Sequence, residues 1–285
     1  MDIQVIQAKS ILTLSKLPDA DYVVNPYIGC RFGCIYCYAS FMGRFVNEKV
    51  GDWGEYVYIK INAPDLLKKE IKKLKNKGKG KSILFSSVTD PYQGIEAKYK
   101  LTRQCLKVLA DYGFAGTVGI LTKSDLVLRD VDVLRKIKHI DIGVTITSTN
   151  DTISRYFEKY APAASVRLKT TKELNRLGFN TYVFVGPLLP HFVAKPKELD
   201  DLFKAIASTG NKDIYVEHIN LSSYILERLK REMKNIDKDI LNTFYQSQDK
   251  SYREKLDKLV LNLVKKYRLN LRLGNIIFHK ELNKN

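Results

Sequence analysis

The chain has 285 residues, 45% of them hydrophobic, enough to bury the core of one large α/β barrel or two smaller domains. Its 48 lysines and arginines outweigh 31 aspartates and glutamates, a formal charge of +17. Such a charge would attract polyanions such as DNA or RNA, although the lysines between 68 and 81 equally suit a solvated helix face. No run of about 18 apolar residues occurs and the N-terminus has no basic or apolar signal region, so a membrane-spanning helix is excluded and a cytoplasmic location is expected.

In chain order, a first strand is expected at 22–25, ahead of a cysteine-rich loop and a helix-like stretch at 38–45. Helical periodicity over 63–77 places Leu66, Leu67, Ile71 and Leu74 on one face. A strand at 82–87 and a helix at 101–112 follow, the helix closed by Gly113 in the C-cap position. The alternation continues with strand 117–122, helix 131–138, strand 141–147, helix 166–177 stopped by Gly178, strand 180–185, helix 196–208 and strand 213–217. Six strands with intervening helices predict an α/β fold, a partial (β/α)6 barrel of the TIM type. Residues 1–221 would form this barrel. Residues 222–285 read as a helical extension packed on it, with amphipathic stretches at 224–233 and 252–267 and a final apolar run at 275–278.

Three of the four cysteines, Cys30, Cys34 and Cys37, fall in one loop with the spacing C-x3-C-x2-C. A disulfide framework would spread its cysteines, so the clustering points to a metal or redox site in a reducing compartment. Three thiolates on so short a loop can each bind one iron of a [4Fe–4S] cubane and leave the fourth iron open to a small chelating molecule. A zinc site would need a fourth ligand, and the first histidine along the chain is His139. A redox pair of Cys34 with Cys37 would leave Cys30 without a purpose. The spacing, directly after a first strand, favours the cluster.

The run from Asn25 through Pro26, Tyr27, Ile28 and Gly29 to Cys30, continuing to Cys37, Tyr38 and Ala39, resembles the radical S-adenosylmethionine (SAM) superfamily, and within it the spore photoproduct lyase-like branch. The likeness extends over about residues 22 to 190 through Thr89 to Gln93, Glu96, Leu101 to Arg103, Thr122 to Ser124, Arg129 with Asp130, and Arg167 with Leu168. It implies a radical SAM barrel whose cofactors are the [4Fe–4S] cluster and S-adenosyl-L-methionine. The implied reaction is reductive cleavage of that molecule to a 5′-deoxyadenosyl radical, which takes hydrogen from a substrate. By the same resemblance Cys30, Cys34 and Cys37 ligate iron, Tyr36 touches adenine, and Ser86 and Ser87 meet the methionine amino group. Lys123, Thr147 and Arg167 would hold carboxylate and ribose, and Val185 would pack on adenine. The bland readings are a surface charge for Lys123 and a strand-end hydroxyl for Thr147.

Asp90, Tyr92 and Glu96 follow the second barrel strand, where the mouth of such a barrel faces substrate, and could orient it; a turn and a helix cap would use the same residues. Tyr38, beside Cys37, could relay a hydrogen atom or only pack. The lyases of this branch carry a hydrogen-donating cysteine after the second strand. Here the segment reads Ser86, Ser87, Val88, Thr89, and Cys105 lies on an amphipathic helix as a buried cysteine, so repair of a thymine lesion by that route is not expected. His191 and His218 end the fifth and sixth strands, as structural or acid–base groups. The substrate expected from branch and charge is nucleic acid, with a peptide or small metabolite as the alternative. A flavodoxin or ferredoxin would donate the electron. A non-catalytic iron–sulfur or zinc protein that binds nucleic acid would leave Ser86, Lys123 and Arg167 without a role.

Overall fold

The structure, a computed structural model, describes residues 2–279. Within these residues the chain divides into two compact units, one of residues 2–33 and 42–143, the other of residues 34–41 and 144–279.

The first unit opens with strands β1 (Asp2–Ile6), β2 (Leu12–Leu14), β3 (Tyr22–Val24) and β4 (Tyr27–Ile28), then β5 (Tyr56–Lys60), helix α1 (Ala63–Glu70) and β6 (Ser82–Phe85). It continues with α2 (Glu96–Tyr99), α3 (Leu101–Tyr112), β7 (Thr117–Thr122) and α4 (Val131–Leu134). β3, β6 and β7 lie side by side in parallel, and β2 closes the edge antiparallel to β3. A separate small sheet has β5 at its centre, parallel to β1 and antiparallel to β4. Helix α3 shows why this order forms: Leu101, Cys105, Leu106 and Leu109 fall on one face and are all buried. Gly113 ends the helix at φ 68°, its N–H turned back to the Leu109 and Ala110 carbonyls. Leu101 also packs with Tyr27, Val57 and Ile59, which ties α3 to the small sheet beneath the cysteine loop. Truncating such a fully buried leucine costs about 2–5 kcal/mol.

Strand β8 (Ile140–Thr145) runs through the division between the units at Gly143. The second unit then carries α5 (Asp151–Phe157), α6 (Ala164–Arg176), β9 (Asn180–Leu188), α7 (Pro196–Ser208), β10 (Asp213–His218), α8 (Ser223–Glu232), α9 (Lys238–Gln246), α10 (Lys250–Lys266) and β11 (Asn270–Leu271). β9, β10 and β11 are parallel neighbours. Asn150 caps α5 by accepting from the N–H groups of Thr152 and Ile153. At the other end of α5, Phe157 meets Phe192 and Phe244 with ring centres 5.0 and 6.2 Å away. This aromatic cluster fixes the residues that follow it. Among the described residues no helix is long and apolar enough to cross a membrane.

The alternating α/β order of mostly parallel strands is the one expected, with local differences. The helix foreseen at 63–77 ends at Glu70, because Asn76 and Lys77 turn left-handed (φ 48° and 52°) and Gly78 follows at φ 74°. The helix foreseen at 131–138 is a single turn preceded by a 3-10 stretch, Asp125–Asp130. Strand β8 stops at Thr145, which leaves Thr147 beyond its end. The run at 275–278 makes one bridge, Ile277 beside Glu217, and the last residues of the foreseen extension, 280–285, lie outside the described residues. Strands β1, β2, β4, β5 and β11 and helices α2, α5 and α9 were not foreseen.

Candidate active site

The cysteine loop begins where β4 ends. Gly29 adopts φ 86°, and a Cβ there would stand 2.4 Å from the Tyr56 carbonyl oxygen, so only glycine fits. The Gly29 carbonyl accepts from Thr89 Oγ1 at 2.6 Å and from Gln93 Nε2 at 3.1 Å, while Gln93 Oε1 accepts from the Arg31 N–H at 2.7 Å. Two successive turns follow: the Gly33 N–H returns to the Cys30 carbonyl and the Cys37 N–H to the Cys34 carbonyl. Each turn is opened by one cysteine, which is what the spacing encodes.

The second half of the loop is tied within the second unit. The Ile35 N–H donates to the Phe157 carbonyl at 2.9 Å, and Arg228 Nη2 on α8 donates to the Cys34 carbonyl at 3.2 Å. Tyr224, also on α8, donates its hydroxyl to the Tyr38 carbonyl. Cys30 and Cys34 are buried and Cys37 is partly so. No three His, Cys, Asp or Glu side chains converge on a single ion position among the described residues. Convergence is not what a cubane needs, since each thiolate binds a different corner and the cluster itself holds the sulfurs apart.

Tyr36, Thr147 and Arg167 are brought together around one residue that sequence reasoning missed, Glu158. The Tyr36 phenol and the Thr147 hydroxyl both donate to Glu158 Oε1, and Arg167 Nη2 donates to Oε2. Arg167 is 1% exposed and spends its other nitrogens on the Pro162 and Thr145 carbonyls. Burial pulls the Arg167 guanidinium down, but the Glu158 carboxylate outweighs it and holds its pKa above the ordinary value. Burial, reinforced by Glu158, pushes the Tyr36 phenol well above its usual range and keeps it neutral. Val185 is buried on β9.

In the first unit, Ser86 follows β6 in a left-handed conformation, φ 65°. It is 5% exposed and its hydroxyl has no hydrogen-bond partner among the described residues, a cost a native fold sustains where a ligand completes the bond. Beside it, Asn25 Oδ1 accepts from the N–H groups of Ser87 and Val88 and sets the shape of this loop. An orphaned hydroxyl at a strand end, together with a three-thiol loop, fits a cluster and an amino-acid-bearing cofactor.

Asp90, Tyr92 and Glu96 are drawn into buried polar networks. Asp90 accepts from the Thr122 hydroxyl at 2.7 Å and from the N–H groups of Tyr92 and Lys123, each at 2.8 Å; it thereby fixes Lys123 at the end of β7. Burial raises the Asp90 pKa against the pull of those donors. Glu96 accepts from the Tyr27 phenol, the N–H groups of Thr102 and Arg103, and Arg129 Nη2. The Tyr92 phenol is pushed up by burial and by the carboxylates of Asp130 and Glu96. Tyr38 is 47% exposed. His191, at φ 63°, lines a cavity of about 350 Å³ in the second unit with Ser148, Asn150, Phe192 and Lys195. His218 is buried, with Nε2 2.7 Å from Asp257 Oδ1 on α10.

Comparison with known proteins bears on this arrangement directly. The model of the radical SAM superfamily matches residues 24–205. An uncharacterized protein of Methanocaldococcus jannaschii is 35% identical over 248 residues, 84% of this chain and 91% of the relative. A radical SAM Nα-GlyT isomerase of Pseudomonas phage M6 is 25% identical over 201 residues, 69% of this chain and 39% of that protein. A spore photoproduct lyase complexed with a dinucleoside spore photoproduct has the same fold, with a TM-score of 0.71 at 15% identity over 93% of this chain and 79% of the lyase. The chain belongs to the radical SAM superfamily and is a radical SAM enzyme, whose cofactors are a [4Fe–4S] cluster and S-adenosylmethionine.

Proposed function

We propose that this enzyme acts on a base within nucleic acid, with its cluster held by Cys30, Cys34 and Cys37 and the sulfonium cofactor seated along the strand ends. The observation that carries the seating is Ser86, whose buried, unpartnered hydroxyl is an acceptor for the cofactor's amino group. Ser87 adds its backbone and hydroxyl beside it, and Lys123, held in place by Asp90, offers its ammonium to the carboxylate. Tyr36 and Val185 present apolar surface to adenine, while Glu158 uses Thr147 and Arg167 to hold Tyr36 in place. When bound, the cluster and cofactor supply a single electron and a carbon radical. The protein's residues bind, orient and exclude water. Tyr38, the most exposed of these residues, is the one we assign to the substrate.

Nucleic acid is supported by the formal charge of +17 and by a similar protein that is bound to a dinucleoside. Repair by thiol hydrogen donation is not part of the proposal. The one cysteine outside the loop, Cys105, is fully buried on α3, and burial with Glu96 nearby raises its thiol far out of the reactive range. Of the extension expected at 222–285, the described residues include Tyr224 and Arg228, which brace the cysteine loop. A low-potential flavodoxin or ferredoxin as electron donor and a cytoplasmic location complete the reading.

The test is anaerobic reconstitution followed by assay of 5′-deoxyadenosine with DNA, RNA, a peptide digest, or none. Stimulation by DNA or RNA is expected. Stimulation by peptides alone would move the substrate to that class, and unchanged turnover in Cys34→Ala would refute the cysteine assignment.

A further inference from the structure

The second unit sets a permanent positive charge, Arg228, against the cysteine loop. Arg228 on α8 is 4% exposed and donates from Nη2 to the Cys34 carbonyl at 3.2 Å. A buried guanidinium is costly unless negative charge stands beside it. Burial pulls the Arg228 pKa below its ordinary value, and charge on Cys37 and Cys34 works in the opposite direction. Arginine nevertheless stays protonated in proteins, so its charge is fixed at any working pH.

We propose that Arg228 tunes the reduction potential of the cluster held by Cys30, Cys34 and Cys37; the inference rests on the cysteine assignment made above. Reduction by a low-potential one-electron donor makes and breaks no bond and adds one negative charge to a unit that three thiolates already make negative. A fixed cation favours the more negative state, so Arg228 raises the potential and eases entry of the electron. Loss of that charge is expected to change the reduction equilibrium roughly tenfold, about 59 mV for one electron. Sequence position gives no hint of this role, because Arg228 lies 194 residues from Cys34.

The experiment is redox potentiometry of the reconstituted full-length protein, read by electron paramagnetic resonance of the reduced cluster without added S-adenosylmethionine. Arg228→Gln keeps hydrogen-bond donors and loses the charge, Arg228→Met keeps length, and Arg228→Lys keeps the charge. Potentials shifted downward by about tenfold in equilibrium constant for Gln and Met, and within about threefold of the parent for Lys, are expected. Exposed Arg231→Gln should leave the potential unchanged. Unchanged potentials in Gln and Met, or a Lys variant shifted as far as Gln, would overturn the proposal. Loss of iron from both neutral variants with retention in Lys would also overturn it, since Arg228 would then hold the loop rather than tune it. Failure of the cysteine assignment has a separate signature: the parent protein itself would give no cubane signal.

Discussion

Replacing Glu158 with alanine removes the acceptor shared by Tyr36, Thr147 and Arg167 and strands the charge of a residue that is 1% exposed. Breaking a buried pair by removing one partner costs about 3–5 kcal/mol, and the abandoned Tyr36 hydroxyl adds roughly 1 kcal/mol or more. The two carbonyls that Arg167 retains, Pro162 and Thr145, soften this loss without supplying a counter-charge. We therefore expect a destabilisation of about 4 kcal/mol, which lowers the melting temperature by roughly 8–16 °C. Urea titration and calorimetry of the full chain measure it, and iron retention after reconstitution should fall in parallel because Tyr36 sits between two of the cysteines. A double variant, Glu158→Leu with Arg167→Met, should recover most of the stability, since neither charge is left alone. An alanine variant within about 1 kcal/mol of the parent, or a double variant as unstable as the single, would refute the reasoning.

Gly29→Ala should lower stability by more than about 1 kcal/mol and impair iron loading, measured as iron per chain, because the added Cβ meets the Tyr56 carbonyl at 2.4 Å in a left-handed backbone. Ser86→Ala should leave urea stability within about 0.5 kcal/mol of the parent, since a hydroxyl without a partner contributes little. Its affinity for S-adenosylmethionine by calorimetry should nevertheless fall about tenfold, the worth of one hydrogen bond to a charged group. Burial lowers the His218 pKa against the hydrogen bond to Asp257, so the folded state binds fewer protons than the unfolded chain between that lowered value and 6.5. Stability contributed by neutral His218 is thus full above pH 6.5 and lost as pH falls toward the folded pKa, with a slope of at most about 1.4 kcal/mol per pH unit. Urea midpoints of His218→Gln should lack that component, and a pH profile identical to the parent's would count against it.

The parts of the fold and site that were legible in sequence are those encoded by neighbours. Each cysteine of the loop is within four residues of the next, and the face of α3 repeats within its own twelve residues, so spacing alone suffices. Glu158 was invisible because its partners lie 122, 11 and 9 residues away, and nothing local marks a glutamate at a helix end as the acceptor of a tyrosine on another element. Asp90, Tyr92 and Glu96 were legible as polar residues after the second barrel strand, but not as buried ones. Only the folded chain shows that Thr122 and Lys123 take up the hydrogen-bonding capacity of Asp90, and Arg129 and Tyr27 that of Glu96. Strand β1 escaped because its residues are nearly all exposed, so its apolar and polar positions carry no burial pattern.

The division between local and distant ties separates two kinds of failure at the cysteine loop. The turns opened by Cys30 and Cys34 need only residues of the loop. The direction in which the loop faces is fixed elsewhere: by Thr89 and Gln93 on the Gly29 carbonyl in the first unit, and by Phe157, Glu158 and Arg228 on residues 34 to 36 in the second. Loss of a cysteine changes the ligand set, and with it the form of the cluster signal. Loss of a tie leaves the ligand set intact, so the signal should keep its form while its amplitude falls with occupancy. Gln93→Ala, which removes a distant tie and touches no sulfur, distinguishes the two. A spectrum of altered shape at full iron content would show that the loop's local turns do not by themselves position the thiolates.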